Sequence, residues 1–80
     1  MGQVTVRYWA AARAAAGTSQ EVLAGGTLGE VLDAARARHG SDLERVLGRC
    51  TFLVDGARGH RESVLDSGAV VEVLPPFAGG

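Results

Sequence analysis

Eighty residues make one small domain, and a chain this short buries only about 60–65% of its unfolded surface, so its core is modest. Eight arginines and no lysine stand against nine acids, for a net charge of −1. That balance has no basic stripe for nucleic acid, and no apolar run reaches the ~18 residues a membrane span needs. No basic segment followed by an apolar run opens the chain, so a cytoplasmic protein is expected.

Gln3 to Tyr8 alternates polar and apolar residues, the period of a half-buried strand with Val4, Val6 and Tyr8 inward. Ala10 to Ala16 is alanine-rich and predicts a short helical turn closed by Gly17. Thr18 to Leu23 suits a second strand returning antiparallel to the first. After Gly25-Gly26, Thr27-Leu28-Gly29-Glu30 is a T-x-x-E capping box. Leu28, Val31, Leu32 and Ala35 then fall on one helix face. Arg36 and Arg38 suit the last turn, and Gly40 suits its end. Gly29 within the first turn weakens this helix.

Ser41 to Leu47 forms a candidate second helix, with Leu43, Val46 and Leu47 apolar. Thr51 to Val54 is the next strand, and Asp55-Gly56 is a strong turn signal. Ala57 to Arg61 is polar and undetermined. Ser63 to Leu65 reads as a short or irregular strand before the turn Asp66-Ser67-Gly68. Ala69 to Leu74 is the last strand, with Val71 and Val73 on one face, and Pro75 ends its pairing because it has no amide to donate. Strands before and after one good helix predict an α+β fold, a mixed sheet packed on one main helix. Residues 1–74 form the domain and 75–80 an extended tail.

The tail carries the chemistry. Pro75-Pro76 favours extended polyproline geometry, and six residues reach at most about 20 Å. Gly79 and Gly80 lack Cβ atoms and pass a narrow channel. The Gly80 carboxylate is a handle that another enzyme can activate, for which adenylation by ATP is the obvious route. The chain has no G-x-x-x-x-G-K-[ST] motif, so the activating chemistry is expected from a partner.

The ending Pro75-Pro76-Phe77-Ala78-Gly79-Gly80 resembles the P-P-x-x-G-G ending of the small subunit of molybdopterin synthase. Tyr8-Trp9-Ala10 with Arg13 and Gly17 resembles that subunit's F-F-A-x-x-R-E-x-x-G run, and Leu65 to Val71 its L-x-D-G-D-x-V turn. The chain is thus similar to the MoaD/ThiS-type sulfur carriers, and the resemblance implies a ubiquitin-like β-grasp fold. It also implies a mechanism. An E1-like (MoeB-like) adenylyltransferase using ATP and Mg²⁺ adenylates Gly80, and a sulfur donor replaces AMP to leave a thiocarboxylate. The tail then enters the large (MoaE-like) synthase subunit and gives its sulfur to precursor Z. The chain itself binds no cofactor or metal on this reading. Gly80 reacts, while Gly79, Ala78, Phe77, Pro76, Pro75 and Arg13 meet partners. Phe77 anchors the tail in a partner pocket or folds back on Leu74; Arg13 meets an acidic patch or is a solvated helix charge.

Three other readings stay open. The carrier can serve thiamine, cysteine or secondary-metabolite synthesis. It can be a ubiquitin-like modifier joined to lysines of other proteins, or an interaction module with an idle tail. The chain cannot itself accept a lysine-linked modifier, and its missing lysine reads either as GC-rich codon usage or as a surface with few amines for an activated C-terminus to acylate. Cys50 reads as a small hydrophobe near the core. His39 suits a helix C-terminus and His60 a solvated loop, and these two with one cysteine have no zinc spacing. Trp9 belongs to an exposed sheet face or caps the helical turn.

Overall fold

The computed structural model describes residues 2–76. Five strands, β1 (Gln3–Tyr8), β2 (Gln20–Ala24), β3 (Thr51–Val54), β4 (Ala57–Arg58) and β5 (Val70–Leu74), form one sheet in the order β2-β1-β5-β3-β4. Helices α1 (Ala10–Ala16), α2 (Leu28–His39) and α3 (Ser41–Leu47) lie between the strands in sequence. β1 runs parallel to β5 and antiparallel to β2, while β5 pairs antiparallel with β3. This mixed sheet, with α2 as the main helix, is the ubiquitin-like β-grasp arrangement.

Alternation along the strands decides the core. Val4, Val6 and Tyr8 of β1 and Val71 and Val73 of β5 turn inward and are buried. They meet Leu28, Val31, Leu32 and Ala35 of α2, Leu43 and Leu47 of α3, and Ala12 and Ala16 of α1 in one cluster. Phe52 and Val54 of β3 pack against its side.

The N-terminus of α2 is held twice over. The capping box forms: Thr27 Oγ1 accepts from the Glu30 amide at 3.2 Å, and Glu30 Oε1 accepts from the Thr27 amide at 3.1 Å. Two further first-turn amides, those of Leu28 and Gly29, donate to the carbonyls of Ser63 (2.9 Å) and Arg61 (2.8 Å). The helix end thus fixes the loop before β5, using donors that have no partner within the helix. This explains Gly29, whose cost to the helix was evident in sequence. A Cβ there would sit 3.1 Å from the Arg61 carbonyl oxygen and 3.2 Å from its guanidinium carbon.

Several boundaries differ from those read in sequence. The second strand spans Gln20–Ala24 rather than starting at Thr18. Gly17 leaves α1 at φ +74°, and Thr18 donates its hydroxyl to the Gln20 carbonyl, so the chain turns before it pairs. The undetermined stretch after Asp55-Gly56 contains β4. Both turn residues have positive φ, +48° and +86°, which a two-residue type I′ hairpin requires. Ser63–Leu65 makes only a single bridge, Thr27 to Val64, in which the Leu28 amide donates to the Ser63 carbonyl and the Leu65 amide to the Gly26 carbonyl, both at 2.9 Å. The last strand begins at Val70, one residue later than read, since Ala69 closes the preceding turn onto Asp66.

A partly buried polar cluster ties β1, β2 and α2 together. Glu21 Oε2 lies 2.6 Å from both the Tyr8 hydroxyl and His39 Nε2, and Arg38 Nε is 3.4 Å from Oε1. Burial, and then the Glu21 carboxylate, push the Tyr8 phenol well above its ordinary range, so it donates as a neutral hydroxyl. His39 therefore has a structural role at the helix C-terminus.

Two substitutions test the α2 junction. Thr27→Ala lowers stability by about 1 kcal/mol, seen as a drop in Tm of about 4–8 °C by circular dichroism. Gly29→Ala gains about 1 kcal/mol of helix propensity yet lowers Tm, because the Arg61 backbone blocks the added methyl. A higher Tm for Gly29→Ala would show that the loop is not held against the helix.

Candidate functional site

The tail leaves the domain from the C-terminal end of β5. Because β5 is parallel to β1, this end lies beside Tyr8, Trp9 and the start of α1: Tyr8 pairs with Val73, and the Trp9 amide donates to the Val73 carbonyl at 3.2 Å. Trp9 is the residue before α1, with extended backbone and no side-chain cap. The residue is 37% exposed, and its ring lies under the Arg7 guanidinium, 5.1 Å from the ring centre. Its two sequence readings thus both hold in part: it stands at the helix entry, and it remains open to contact.

Pro75 is buried and Pro76 exposed, and both line a groove of about 690 Å³ between α1 and α3. Ala11, Ala14 and Ala15 of α1 and Val46 of α3 form its apolar walls, with Asp42, Arg45 and Arg49 contributing charge. Arg45 is held by Asp42 at 2.5 Å. Among the described residues Arg49 makes no ion pair. These two arginines escaped the sequence reading. Their signal was an i, i+4 spacing across the end of a short helix, which means nothing until the sheet brings the tail beside it.

The candidate residues separate accordingly. Pro75 and Pro76 stand together at the groove, whereas Arg13 is exposed on α1 and is not among the groove's lining residues. Phe77, Ala78, Gly79 and Gly80 lie outside the described residues. Among the described residues no three His, Cys, Asp or Glu side chains gather into a possible metal site. No helix among the described residues is long and apolar enough to cross a membrane. His60 is exposed, and its amide donates to the Ser63 hydroxyl at 2.9 Å.

The sheet face opposite the helices is a second exposed feature near the tail. Thr5 pairs with Val22 and Val70, and Glu72 pairs with Arg7 and Leu53, so these residues share that face. Val22 is 54% exposed and leaves a single apolar spot on the β2 edge.

Cys50 is half-buried beside the core, and its thiol donates to the Val46 carbonyl at 3.2 Å. Burial pushes its pKa up to about 11 from an ordinary 9.0. The thiolate fraction at pH 8 is then roughly a hundredfold below that of a free thiol. Iodoacetamide should alkylate Cys50 about a hundred times more slowly in the folded protein than in urea. Equal rates would mean that the thiol is open and reactive.

Comparison with known proteins fits this geometry. No curated protein matches the chain. Among solved structures, small archaeal modifier protein 1 from Methanosarcina acetivorans is similar at 26% identity and a TM-score of 0.88, covering 100% of this chain and 98% of that one. Its counterpart from Haloferax volcanii has 24% identity and a TM-score of 0.88, covering 99% and 100%. A complex of subunits 1 and 2 of molybdopterin-converting factor from Helicobacter pylori matches at 23% identity and a TM-score of 0.71, covering 98% and 99%. The sequence model of the ThiS family matches residues 6–80, almost the whole chain including the Gly-Gly ending. On that match the chain belongs to the ThiS family, within the MoaD/ThiS-type sulfur carriers that its sequence resembles.

Proposed function

We propose that this sulfur carrier is charged at Gly80 and delivers its sulfur in molybdopterin biosynthesis. The observation that carries the reading is the family match running through Gly79-Gly80, on a tail that leaves a rigid sheet at Leu74. A Gly80 carboxylate oxygen attacks the α-phosphorus of ATP on an E1-like partner, with Mg²⁺ there, and pyrophosphate leaves. Sulfide-level sulfur from a donor then attacks the Gly80 carbonyl carbon and AMP leaves, which yields the thiocarboxylate. The large synthase subunit next accepts the tail and takes the sulfur.

The chain's own contribution is presentation. Pro75 fixes the direction in which the tail departs, and the buried central strand behind it gives that direction a rigid base. Two small residues at the end let the carbonyl carbon be reached from either side. The choice of the molybdopterin branch rests on Tyr8-Trp9-Ala10, Arg13 and Gly17. These residues span the β1–α1 junction beside the tail root, and Gly17 supplies the left-handed end of α1. The similar Helicobacter complex of subunits 1 and 2 supports the same branch.

Incubation with an E1-like adenylyltransferase, ATP, Mg²⁺ and a sulfur donor should replace one oxygen of the intact protein by sulfur. Deleting Gly80 should abolish that mass change and leave the circular dichroism spectrum and Tm unchanged. The thiocarboxylated protein with the large synthase subunit should convert precursor Z to molybdopterin. No mass change would refute the carrier reading. A thiocarboxylate inactive with the large subunit would move the chain to another sulfur pathway, and isopeptide adducts on cellular lysines would mark it as a modifier.

A further inference from the structure

The two edges of the sheet are unlike. The β4 edge is two residues long and carries Arg58, so it offers little to a further strand. The β2 edge runs for five residues, Gln20–Ala24, without proline. Register fixes which backbone groups it presents. The Tyr8 amide donates to the Ser19 carbonyl at 2.9 Å, and the Gly25 amide to the Gly2 carbonyl at 3.2 Å. Val4 with Leu23 and Val6 with Glu21 fall in the same phase, so the odd-numbered residues from Ser19 to Gly25 direct their backbone groups to β1. Gln20, Val22 and Ala24 direct theirs away from the sheet. Among the described residues only one of these outward groups has a partner, the Gln20 carbonyl, which accepts from the Thr18 hydroxyl.

The strand's side chains put no charge in the way of this open row. Gln20, Val22 and Ala24 are neutral, exposed and on the face opposite the helices. Glu21, the one charged residue of β2, turns to the helix side, where its side chain is 9% exposed and held by Tyr8, His39 and Arg38. We propose that β2 is a docking edge for a second copy of this chain, the two β2 strands lying antiparallel about a two-fold axis at Val22. In that register Val22 faces the partner's Val22, Gln20 the partner's Ala24, and Glu21 the partner's Leu23. Every outward amide then meets an outward carbonyl. The exposed valines cover one another, and no charge stands opposite a like charge. The pattern is its own complement, as a two-fold interface requires.

The seam is short, about 17 Å for five residues, and buries less than the about 1,200 Å² of stable complexes. Self-association is therefore weak and quickly reversed, with Kd on the order of 0.1–1 mM. The root of the tail stays free in the pair. β1 separates β2 from β5, and the antiparallel seam sends the two Pro75 residues out at opposite ends of one continuous sheet. The inference takes nothing from the proposed function.

Nuclear magnetic resonance of the full 80-residue chain tests this. The amide signals of Gln20, Val22 and Ala24 should shift as concentration rises to about 2 mM, while those of β4 stay in place. In a mixture of isotope-labelled and unlabelled chains, the Glu21 α-proton should show a nuclear Overhauser contact to the partner's Leu23 α-proton. Two residues of one strand cannot make that contact. Val22→Arg, at an exposed position, sets cation against cation at the axis. It should weaken self-association about tenfold or more and leave the circular dichroism spectrum and Tm unchanged. Signals independent of concentration overturn the proposal, as do shifts centred away from β2 or seen only when another protein is added. An α-proton contact in another register, or self-association that survives Val22→Arg, overturns the two-fold seam. The mass assay is independent: a chain that is thiocarboxylated yet never self-associates keeps the proposed function and loses the docking edge.

Discussion

The parallel pairing of β1 with β5 is the constraint on which the rest of this structure depends. It places the first and last strands side by side at the centre of the sheet, with Val6 beside Val71 and Tyr8 beside Val73. All four side chains are buried. A parallel pair cannot be closed by a tight turn, so everything from α1 to β4 lies within the connection that the pairing requires. The end of β5 then lies beside the end of β1, and the tail emerges next to α1.

Helix α2 completes this arrangement through its ends as well as its face. Its apolar face covers β1 and β5, and its first-turn amides hold the loop at Arg61 and Ser63. Its last turn reaches Glu21 through Arg38 and His39, and Glu21 reaches Tyr8 on β1. The segment that leads into β5 and the edge strand β2 are thus fixed to the same helix. The root of the tail gains a defined direction from such a base, because the strand from which it departs cannot shift without moving the core.

The chemistry and the packing occupy different parts of the chain. Cys50 is a packed thiol, and His39 and Glu21 are joined to each other. The charged groups nearest the tail root, Asp42, Arg45 and Arg49, lie at a groove rather than in an enclosed pocket. That division suits a protein whose reacting group is presented to a partner: rigid behind the tail, open around it.

Most of the fold was legible in the sequence because its signals are local. The alternation in Gln3–Tyr8, the Thr27–Glu30 capping box and the Asp55-Gly56 turn each arise within a few residues, from strand pleat, unsatisfied helix amides and positive φ. The Gly79-Gly80 ending and the family resemblance were also read without coordinates. Tertiary structure alone decided the reason for Gly29, the fate of Ser63–Leu65 and the surroundings of the tail. Gly29 lies close against a carbonyl 32 residues away in the chain, and Arg49 and Pro76 line one groove because β5 ends beside the start of α1. Local propensity has no term for such contacts: the sequence determined the elements and the Gly-Gly ending, and packing determined what stands beside Pro75 and Pro76, where the tail begins.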